Sequence, residues 1–178
     1  MKTAWLLAFV LFAAVPVLAA EGDEEGFTPL FNGKDLTGWE GDAKLWIVED
    51  GCLIGRSPGI PYNDFLATTK EYGDFVLRFD VRLVKNVGNS GVQFRSKRVP
   101  NSHEACGYQA DIGEGWWGAL YDESRRNRVL VRPKPDDLKK ALKPGEWNAY
   151  EVKALGDRVT LSINGVVTSD YTEKDEGI

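Results

Sequence analysis

The sequence predicts an all-β protein, an antiparallel two-sheet β-sandwich of jelly-roll type. Apolar and polar residues alternate in short runs, turn residues separate these runs, and a single segment has helical spacing. Strands that are apolar on one face must bury that face against a second sheet when no helices lie between them. The 19 glycines and 8 prolines of the chain fit short strands joined by tight turns.

The first clear elements are a hairpin and a long strand. In WIVEDGCLIG (46–55), Asp50 and Gly51 favour a turn with positive φ between two apolar arms. In DFVLRFDVRLV (74–84), one face carries Phe75, Leu77, Phe79, Val81 and Leu83, and the other carries Arg78, Asp80 and Arg82. Because successive side chains of a strand leave opposite faces, this segment predicts a half-buried antiparallel strand.

The last third of the chain predicts a helix followed by further strands. PDDLKKALKPG (135–145) begins with a proline and acidic residues and ends at Pro-Gly, which indicates a short surface helix. The stretches 147–156 and 157–171 alternate as strands do. Within the second stretch, Asn164 and Gly165 favour another positive-φ turn, so we expect a hairpin there.

The N-terminus has the pattern of a cleavable secretory signal. Lys2 precedes the apolar run AWLLAFVLFAAV, and small residues follow this run. The run is short for a membrane span. We expect cleavage after Ala19 or Ala20, so that residues 1–20 form a signal peptide and the mature protein is periplasmic or secreted.

The composition describes one acidic domain. About 160 residues follow the signal, enough for a single hydrophobic core. The formal net charge is −5, and the loss of Lys2 with the signal makes the mature chain more negative. Nucleic acid is therefore not an expected partner, because a polyanion would be repelled. No membrane partner is expected after signal removal, and the sequence leaves the oligomeric state undetermined.

Two cysteines, Cys52 and Cys106, leave their pairing open. An oxidising compartment permits a disulfide, and two separate thiols are the equal alternative. A zinc site is not expected, because His103 is the only histidine and no Cys/His cluster can form. No cofactor is expected from the sequence. The oxygen ligands available for a structural calcium ion are Asp111, Glu114 and Asp122.

Polar side chains share one face of two predicted strands. In GNSGVQFR, Gln93 and Arg95 alternate with apolar residues, and in GYQADI, Gln109 and Asp111 do the same. Taken singly, each pair is an ordinary solvated face. Together they place amides, a guanidinium and a carboxylate on a stiff platform, which suits a polyhydroxylated ligand such as a sugar. We therefore predict that these four residues line a groove.

Ordered segments of the chain resemble one known family. The segments are FTPLFNGKDLTGW, WIVEDGCLIG, EYGDFVLRFDVRL, NSGVQFR, GYQADIG, GALYDE, GEWNAYEV and LSINGV. Their order resembles the 3-keto-disaccharide hydrolase family, formerly a domain of unknown function. The resemblance implies a concanavalin A-like jelly roll over 27–178, exported by bacteria and acting on glycosides oxidised at carbon 3 of the sugar. Members usually continue with one or two further strands, so the resemblance also implies a C-terminally incomplete domain.

Keto-sugar chemistry needs a different set of groups from ordinary glycosidases. A ketone at carbon 3 acidifies the hydrogen on carbon 2, so a base can cleave the bond at carbon 1 by elimination, and hydrolysis is the alternative. A conventional glycosidase needs two carboxylates flanking the bond, but Gln109 stands where paired-carboxylate sandwich glucanases have the first. The sequence therefore favours an exported enzyme acting on 3-keto-glycosides, with a non-catalytic carbohydrate-binding module as the alternative.

Three residues are the predicted catalytic set. His103 is a candidate base because imidazole titrates near neutral pH, and an exposed loop histidine is the alternative interpretation. Asp111 is a second candidate base, and Arg95 would hold the carbonyl oxygen. For both of these, a structural ion pair is the alternative.

The segment EGWWGALYDE supplies further candidates. Trp116 and Trp117 could stack on a sugar ring, although adjacent residues of a strand cannot both point the same way. One of them is then expected to close the end of the sandwich. A phenol or carboxylate of the following YDE triplet could be the acid. The predicted substrate-binding residues are Gln93, Gln109, Trp116, Trp117, Tyr121, Asp122 and Glu123.

Overall fold

The protein is described by a computed structural model over residues 26–57 and 59–175. The predicted signal peptide, residues 1–20, and the last three residues lie outside this part of the chain. Within it, no helix has the length and apolar character needed to cross a membrane.

Strands dominate the described part of the chain, as predicted. The strands are β1 (Trp39–Glu40), β2 (Trp46–Glu49), β3 (Cys52–Gly55), β4 (Ala67–Thr68), β5 (Phe75–Val81), β6 (Asn89–Arg98), β7 (Ala105–Gly113), β8 (Leu120–Glu123), β9 (Arg128–Val131), β10 (Asn148–Leu155), β11 (Arg158–Ile163) and β12 (Val166–Thr172). A 3-10 turn (Val84–Asn86) follows β5, and the helix α1 (Pro135–Ala141) precedes β10.

Two four-stranded antiparallel sheets form the sandwich. The back sheet has the order β12-β11-β10-β5, and the site sheet has the order β6-β7-β8-β9. Two smaller pairs, β1 with β4 and β2 with β3, come from the N-terminal part of the described chain. This architecture confirms the prediction of an antiparallel two-sheet β-sandwich of jelly-roll type.

The core lies between the two sheets because every long strand is apolar on one face. Alternate residues of β10 and β11 are fully buried, and alternate residues of β7 face them from the site sheet. Each fully buried aliphatic side chain of this kind contributes about 1.5–3 kcal/mol. The central core residues are Phe94, Tyr108, Ala110, Leu120, Tyr150, Val152, Leu161 and Ile163.

The predicted turns are present. Asp50 and Gly51 have φ of 51° and 72° between β2 and β3, and Asn164 and Gly165 have φ of 48° and 81° between β11 and β12. These left-handed conformations suit Asp, Asn and Gly, and they allow each pair of strands to fold back tightly. The hairpin registers therefore follow from the turn residues.

The helix α1 is shorter than predicted. It begins at Pro135, carries acidic residues in its first turn and basic residues in its last turn, and buries Ala141. Leu142 already has extended backbone angles, so the helix ends before the predicted Pro-Gly stop. Asn148 then holds the following loop, donating to the carbonyl oxygen of Lys143 at 2.9 Å.

The two cysteines are free thiols in this structure. Cys52 lies at the start of β3, and Cys106 lies in β7 of the site sheet. Of the two alternatives that the sequence left open, the structure has the unbridged one.

Candidate functional site

Three neighbouring strands of the site sheet present polar side chains on its outer face. Gln93 of β6 pairs with Gln109 of β7, and Gln109 pairs with Tyr121 of β8. Their sequence neighbours Phe94 and Tyr108 point the other way, into the core. We call the outer face formed by Gln93, Gln109, Asp111, Tyr121 and Glu123 the polar floor.

Asp111 lies on the polar floor opposite Gly91 of β6. Asp111 is 2% exposed. Its Oδ1 accepts a hydrogen bond of 2.7 Å from Gln109 Nε2, whereas its Oδ2 has no partner among the described residues. Burial raises the pKa of Asp111 to about 6, and the charge of Glu123 adds to this effect. The Gln109 hydrogen bond and the Arg132 charge act in the opposite direction. The result is a buried carboxyl group that changes charge close to neutral pH.

A carboxyl group and a phenol of β8, Glu123 and Tyr121, share the outer face with Asp111. Burial raises the pKa of Glu123, and the nearby Glu104 raises it further. Glu104 is held in place, because its Oε2 accepts hydrogen bonds from Asn63 Nδ2 at 3.0 Å and Ser124 Oγ at 3.2 Å. Burial also raises the pKa of Tyr121, with Glu123 as the next cause. Both Glu123 and Tyr121 therefore have raised pKa values on the same face as Asp111.

An exposed indole borders the polar floor. Trp116 is 37% exposed, and its ring lies 6.3 Å from the Tyr121 ring in an edge-to-face arrangement. The Arg132 guanidinium stacks over the Trp116 ring at 4.8 Å and donates to the Gly115 carbonyl oxygen at 3.1 Å. Trp117 instead is 1% exposed and closes the core. The two tryptophans lie in the turn between β7 and β8, and this turn exposes Trp116 and buries Trp117.

Arg95 does not join the polar floor, although simple alternation places it beside Gln93. The pairing of β6 with β7 shifts between Phe94 and Lys97, and Arg95 has φ of 47°. Such a bulge adds a residue and reverses the direction of the side chain. The Arg95 guanidinium contacts Asp74 Oδ1 at 2.8 Å and the carbonyl oxygen of Gly156 at 2.5 Å, at the edge of the back sheet. The predicted role of Arg95, to hold the carbonyl oxygen of the substrate, stays a prediction, and Arg95 makes no contact with the polar floor that would support it.

Asp122 also points away from the polar floor. It is 0% exposed and lies on the inner face of β8, where it is paired with Arg125 at 2.8 Å and with Arg126. Arg126 in turn contacts Glu173 at 2.5 Å, and Glu173 accepts a hydrogen bond from the Tyr108 hydroxyl. We call this set the buried ion cluster. The predicted contact of Asp122 with substrate therefore has no geometric support, because its carboxylate is held inside the sandwich.

His103 lies in the exposed loop between β6 and β7. Its ring stacks on the Tyr62 ring, with centroids 3.9 Å apart and planes 20° apart. Its neighbour Glu104 is the residue of this loop that approaches Glu123. The role of His103 as a base stays a prediction, and the structure gives the ring an aromatic partner at the surface.

The predicted calcium ligands do not converge. Asp111 and Asp122 project from opposite faces of the site sheet, and Glu114 is exposed in the turn after β7. Over residues 26–57 and 59–175, no group of three His, Cys, Asp or Glu residues is arranged to hold a metal ion.

Two residues of the site were missed by sequence reasoning. Arg132 follows β9 and reaches the floor through its contact with Trp116, and Glu104 reaches it from the loop before β7. Alternation rules apply within strands, so they carry no information on side chains that enter from loops. For Glu104, the sequence offered one indication, its position next to His103. For Arg132, the sequence offered only its position at the end of an apolar strand.

Comparison with known proteins defines the class and then the family. The fold is a two-sheet jelly roll that carries a polar site on one outer face. Residues 26–178 match the model of the 3-keto-alpha-glucoside-1,2-lyase-like domain, and the chain belongs to this family. It is also 24% identical over 173 residues to a 3-keto-disaccharide hydrolase of Bacteroides thetaiotaomicron. That match covers 84% of this chain, which spans 59% of the length of the curated relative.

Solved structures show the same architecture. A crystal structure named as a "putative glycosyl hydrolase" of Parabacteroides distasonis superposes with a TM-score of 0.63 and 26% identity, covering 84% of this chain and 73% of that one. The carbohydrate binding module CBM66 of Bacillus subtilis superposes with a TM-score of 0.58 and 16% identity, covering 76% of this chain and 80% of the module. The second likeness supports the fold alone.

Proposed function

We propose that this protein is an exported enzyme that cleaves the glycosidic bond of 3-keto-glycosides at the polar floor. Family membership and the resemblance to a 3-keto-disaccharide hydrolase support the substrate class. The observation that carries the proposal is the buried Asp111 carboxyl, whose Oδ1 accepts a hydrogen bond from Gln109 and whose Oδ2 has no partner among the described residues. A base of this kind suits the removal of a proton from carbon.

The floor offers a group for each step of an elimination. Asp111 Oδ2 takes the proton from carbon 2, and the negative charge moves to the oxygen of the carbon-3 ketone. Arg132 is the nearby cation that can stabilise this oxygen, the role that the sequence suggested for Arg95. The bond between carbon 1 and the leaving oxygen then breaks, and Glu123 or Tyr121 returns a proton to that oxygen. Addition of water across carbons 1 and 2 completes the hydrolysis.

The substrate sugar also needs a surface to lie on. Trp116 presents an exposed indole next to Tyr121, and flat aromatic faces of this kind stack on the apolar side of sugar rings. The amide of Gln93 adds a buried oxygen without a hydrogen-bond partner in the described structure. A sugar hydroxyl could donate to it and remove the penalty of about 1–3 kcal/mol for an unsatisfied buried acceptor.

The activity test uses 3-keto-trehalose and the release of glucose. Asp111→Asn removes the base and nearly preserves the side-chain volume, so we expect a loss of rate of about 100-fold or more. Asp80→Asn is the matched control, because Asp80 is exposed on β5 of the back sheet, and its rate should equal that of the wild type. Full activity of Asp111→Asn would remove Asp111 from the mechanism.

The same substrate separates elimination from direct hydrolysis. In D₂O, elimination followed by hydration places deuterium on carbon 2 of the released keto-sugar, whereas direct attack at carbon 1 leaves the original hydrogen there. The released keto-sugar incubated alone measures spontaneous exchange.

A carbohydrate-binding module without turnover is the second candidate. The exposed Trp116 beside Tyr121 favours it, since an aromatic platform binds sugars whether or not a base acts. Calorimetric binding of a 3-keto-glycoside without glucose release would support this alternative and exclude the enzyme.

A further inference from the structure

The Gln109 side chain lies flat against the neighbouring strand. A Cβ atom built on Gly91 of β6 would fall 2.7 Å from Gln109 Cγ and 2.9 Å from Gln109 Cδ, closer than real contacts allow. Gly91 is also the partner of Asp111 in the register of β6 with β7. The absence of a side chain at Gly91 therefore leaves the space that the Gln109 amide occupies.

The amide that fills this space contacts Asp111 and fixes its carboxyl group. Gln109 Nε2 donates to Asp111 Oδ1 at 2.7 Å, while Oδ2 of the same carboxyl has no partner among the described residues. Gln93, the next amide in the row, donates instead to the carbonyl oxygen of Ala105 at 3.2 Å. The two amides of the floor thus have different partners.

We propose that Gln109 is a positioning residue, whose amide holds Asp111 Oδ1 and leaves Oδ2 unpaired to act as the base, and that Gly91 makes room for it. This proposal rests on the proposed function for its consequence in catalysis. The sequence pattern alone predicts a contact of Gln109 with the substrate, whereas the geometry directs its donor to the base.

The amide also sets the charge of Asp111. A hydrogen bond to the ionised form favours that form, so the Gln109 donor opposes the effect of burial on the Asp111 pKa. The other groups facing Asp111 are Glu123 and Tyr121 from β8, Arg132 after β9, and Tyr150 of β10, whose hydroxyl donates to the Asp111 backbone oxygen at 3.3 Å. A change at Gln109 removes its hydrogen bond to Asp111 and leaves the chemical identity of these groups unchanged.

The first test is the pH profile of kcat/KM for Gln109→Leu. Without the donor, ionisation of Asp111 requires a higher pH, so we expect the acid limb to move upward by about one pH unit. Above the limb, the rate should recover to within about tenfold of the wild type, since the base itself is intact. Gln93→Leu is the matched control, which can lower the rate but should leave the limb in place. If the acid limb of Gln109→Leu lay at the same pH as that of the wild type, the proposal would be overturned.

A second variant moves the amide without changing either partner. Gly91→Ala places a methyl group against Gln109, so the limb should move in the same direction as in Gln109→Leu. The new Cβ would also fall 2.9 Å from the Ala110 backbone oxygen, so the melting temperature of this variant is measured alongside its activity. A folded Gly91→Ala protein with an unmoved limb would contradict the role of Gly91.

A measurement without substrate separates this proposal from the proposed function. Titration of the ¹³C-labelled Asp111 carboxyl by NMR should give a higher pKa in Gln109→Leu than in the wild type. An equal pKa in both proteins overturns the positioning role. A raised pKa in a protein that never cleaves 3-keto-trehalose sustains the positioning role and rejects the proposed function.

Discussion

At the scale of single residues, the burial of Asp111 disfavours the folded protein when this carboxyl group is charged. Its carboxyl group is buried with one oxygen unpartnered, so folding disfavours its charged form. The folded pKa of about 6 lies above the ordinary value of 3.8. The stability contributed by this group is therefore present at low pH and is lost as the pH rises through about 6.

We expect Asp111→Asn to be more stable than the wild type at pH 7, by about 2 kcal/mol, because the neutral amide avoids burying a charge. At pH 3.5 the difference should nearly vanish, since the wild-type carboxyl is then protonated in the folded state and largely so in the unfolded state. Urea unfolding at the two pH values measures the free energies. A variant that is less stable than the wild type at pH 7 would show that the Gln109 donor and the Arg132 charge outweigh the burial of the Asp111 carboxylate.

At the scale of elements, the buried ion cluster joins β8 to the segment that follows β12. Glu173 accepts hydrogen bonds from Arg126 and from the Tyr108 hydroxyl, both at 2.5 Å, and its side chain is 10% exposed. These donors hold the pKa of Glu173 well below its usual range. The stability it contributes is present at neutral pH and is lost as the carboxylate is protonated at low pH.

We expect Glu173→Gln to lower the free energy of unfolding by about 2 kcal/mol at pH 7, because hydrogen bonds to a charged, mostly buried group are lost. The loss should shrink at pH 3. Asp170→Asn is the matched control: Asp170 pairs with Arg158 at 2.6 Å on the exposed face of β12, and such a surface pair contributes less than about 1 kcal/mol. Equal losses in both variants would mean that the cluster contributes no more than a surface pair.

Sequence reasoning succeeded where side chains follow strand alternation and failed where the backbone departs from it. The sheet face on which Gln93, Gln109 and Asp111 lie was predicted from the two-residue alternation of the strands alone. The bulge that turns Arg95 away depends on a close approach of β7, where a Cβ on Gly107 would lie 2.7 Å from the Arg95 oxygen. A glycine within a strand was the available signal for this bulge.

The other failure was the assignment of three successive residues of β8, Tyr121, Asp122 and Glu123, to substrate binding. Tyr121 and Glu123 face the floor, so Asp122 between them must face inward. The arginines three and four residues later, Arg125 and Arg126, indicate its true partners in the sequence. The fold could thus be predicted almost completely and the floor in part, while the contacts made from loops required coordinates.

At the scale of the whole molecule, burial is uneven along the chain. The core cluster contains residues of the two large sheets and of α1, and it includes none from the described residues before Phe75. The strands β1 to β4 form two small sheets of two strands each. Such pairs have few apolar contacts to stabilise them and should open before the sandwich does.

Hydrogen exchange followed by mass spectrometry tests this difference. We expect amides of the β2–β3 hairpin to exchange at least about 100-fold faster than those of β10 and β11, where Val152, Ala154 and Leu161 are 0% exposed. Exchange at equal rates would mean that the N-terminal sheets and the sandwich unfold as one unit.

The inward carboxylate of β8 has a consequence for how this sheet assembles. If β8 paired one position out of step, Tyr121 and Glu123 would enter the apolar interior, and Arg125 and Arg126 would lose their ion pairs with Asp122. A misaligned β8 would therefore bury the Glu123 carboxyl group without a cationic partner, which disfavours that register. The inward carboxylate of Asp122 therefore favours the register that presents Tyr121 and Glu123 on the outer face.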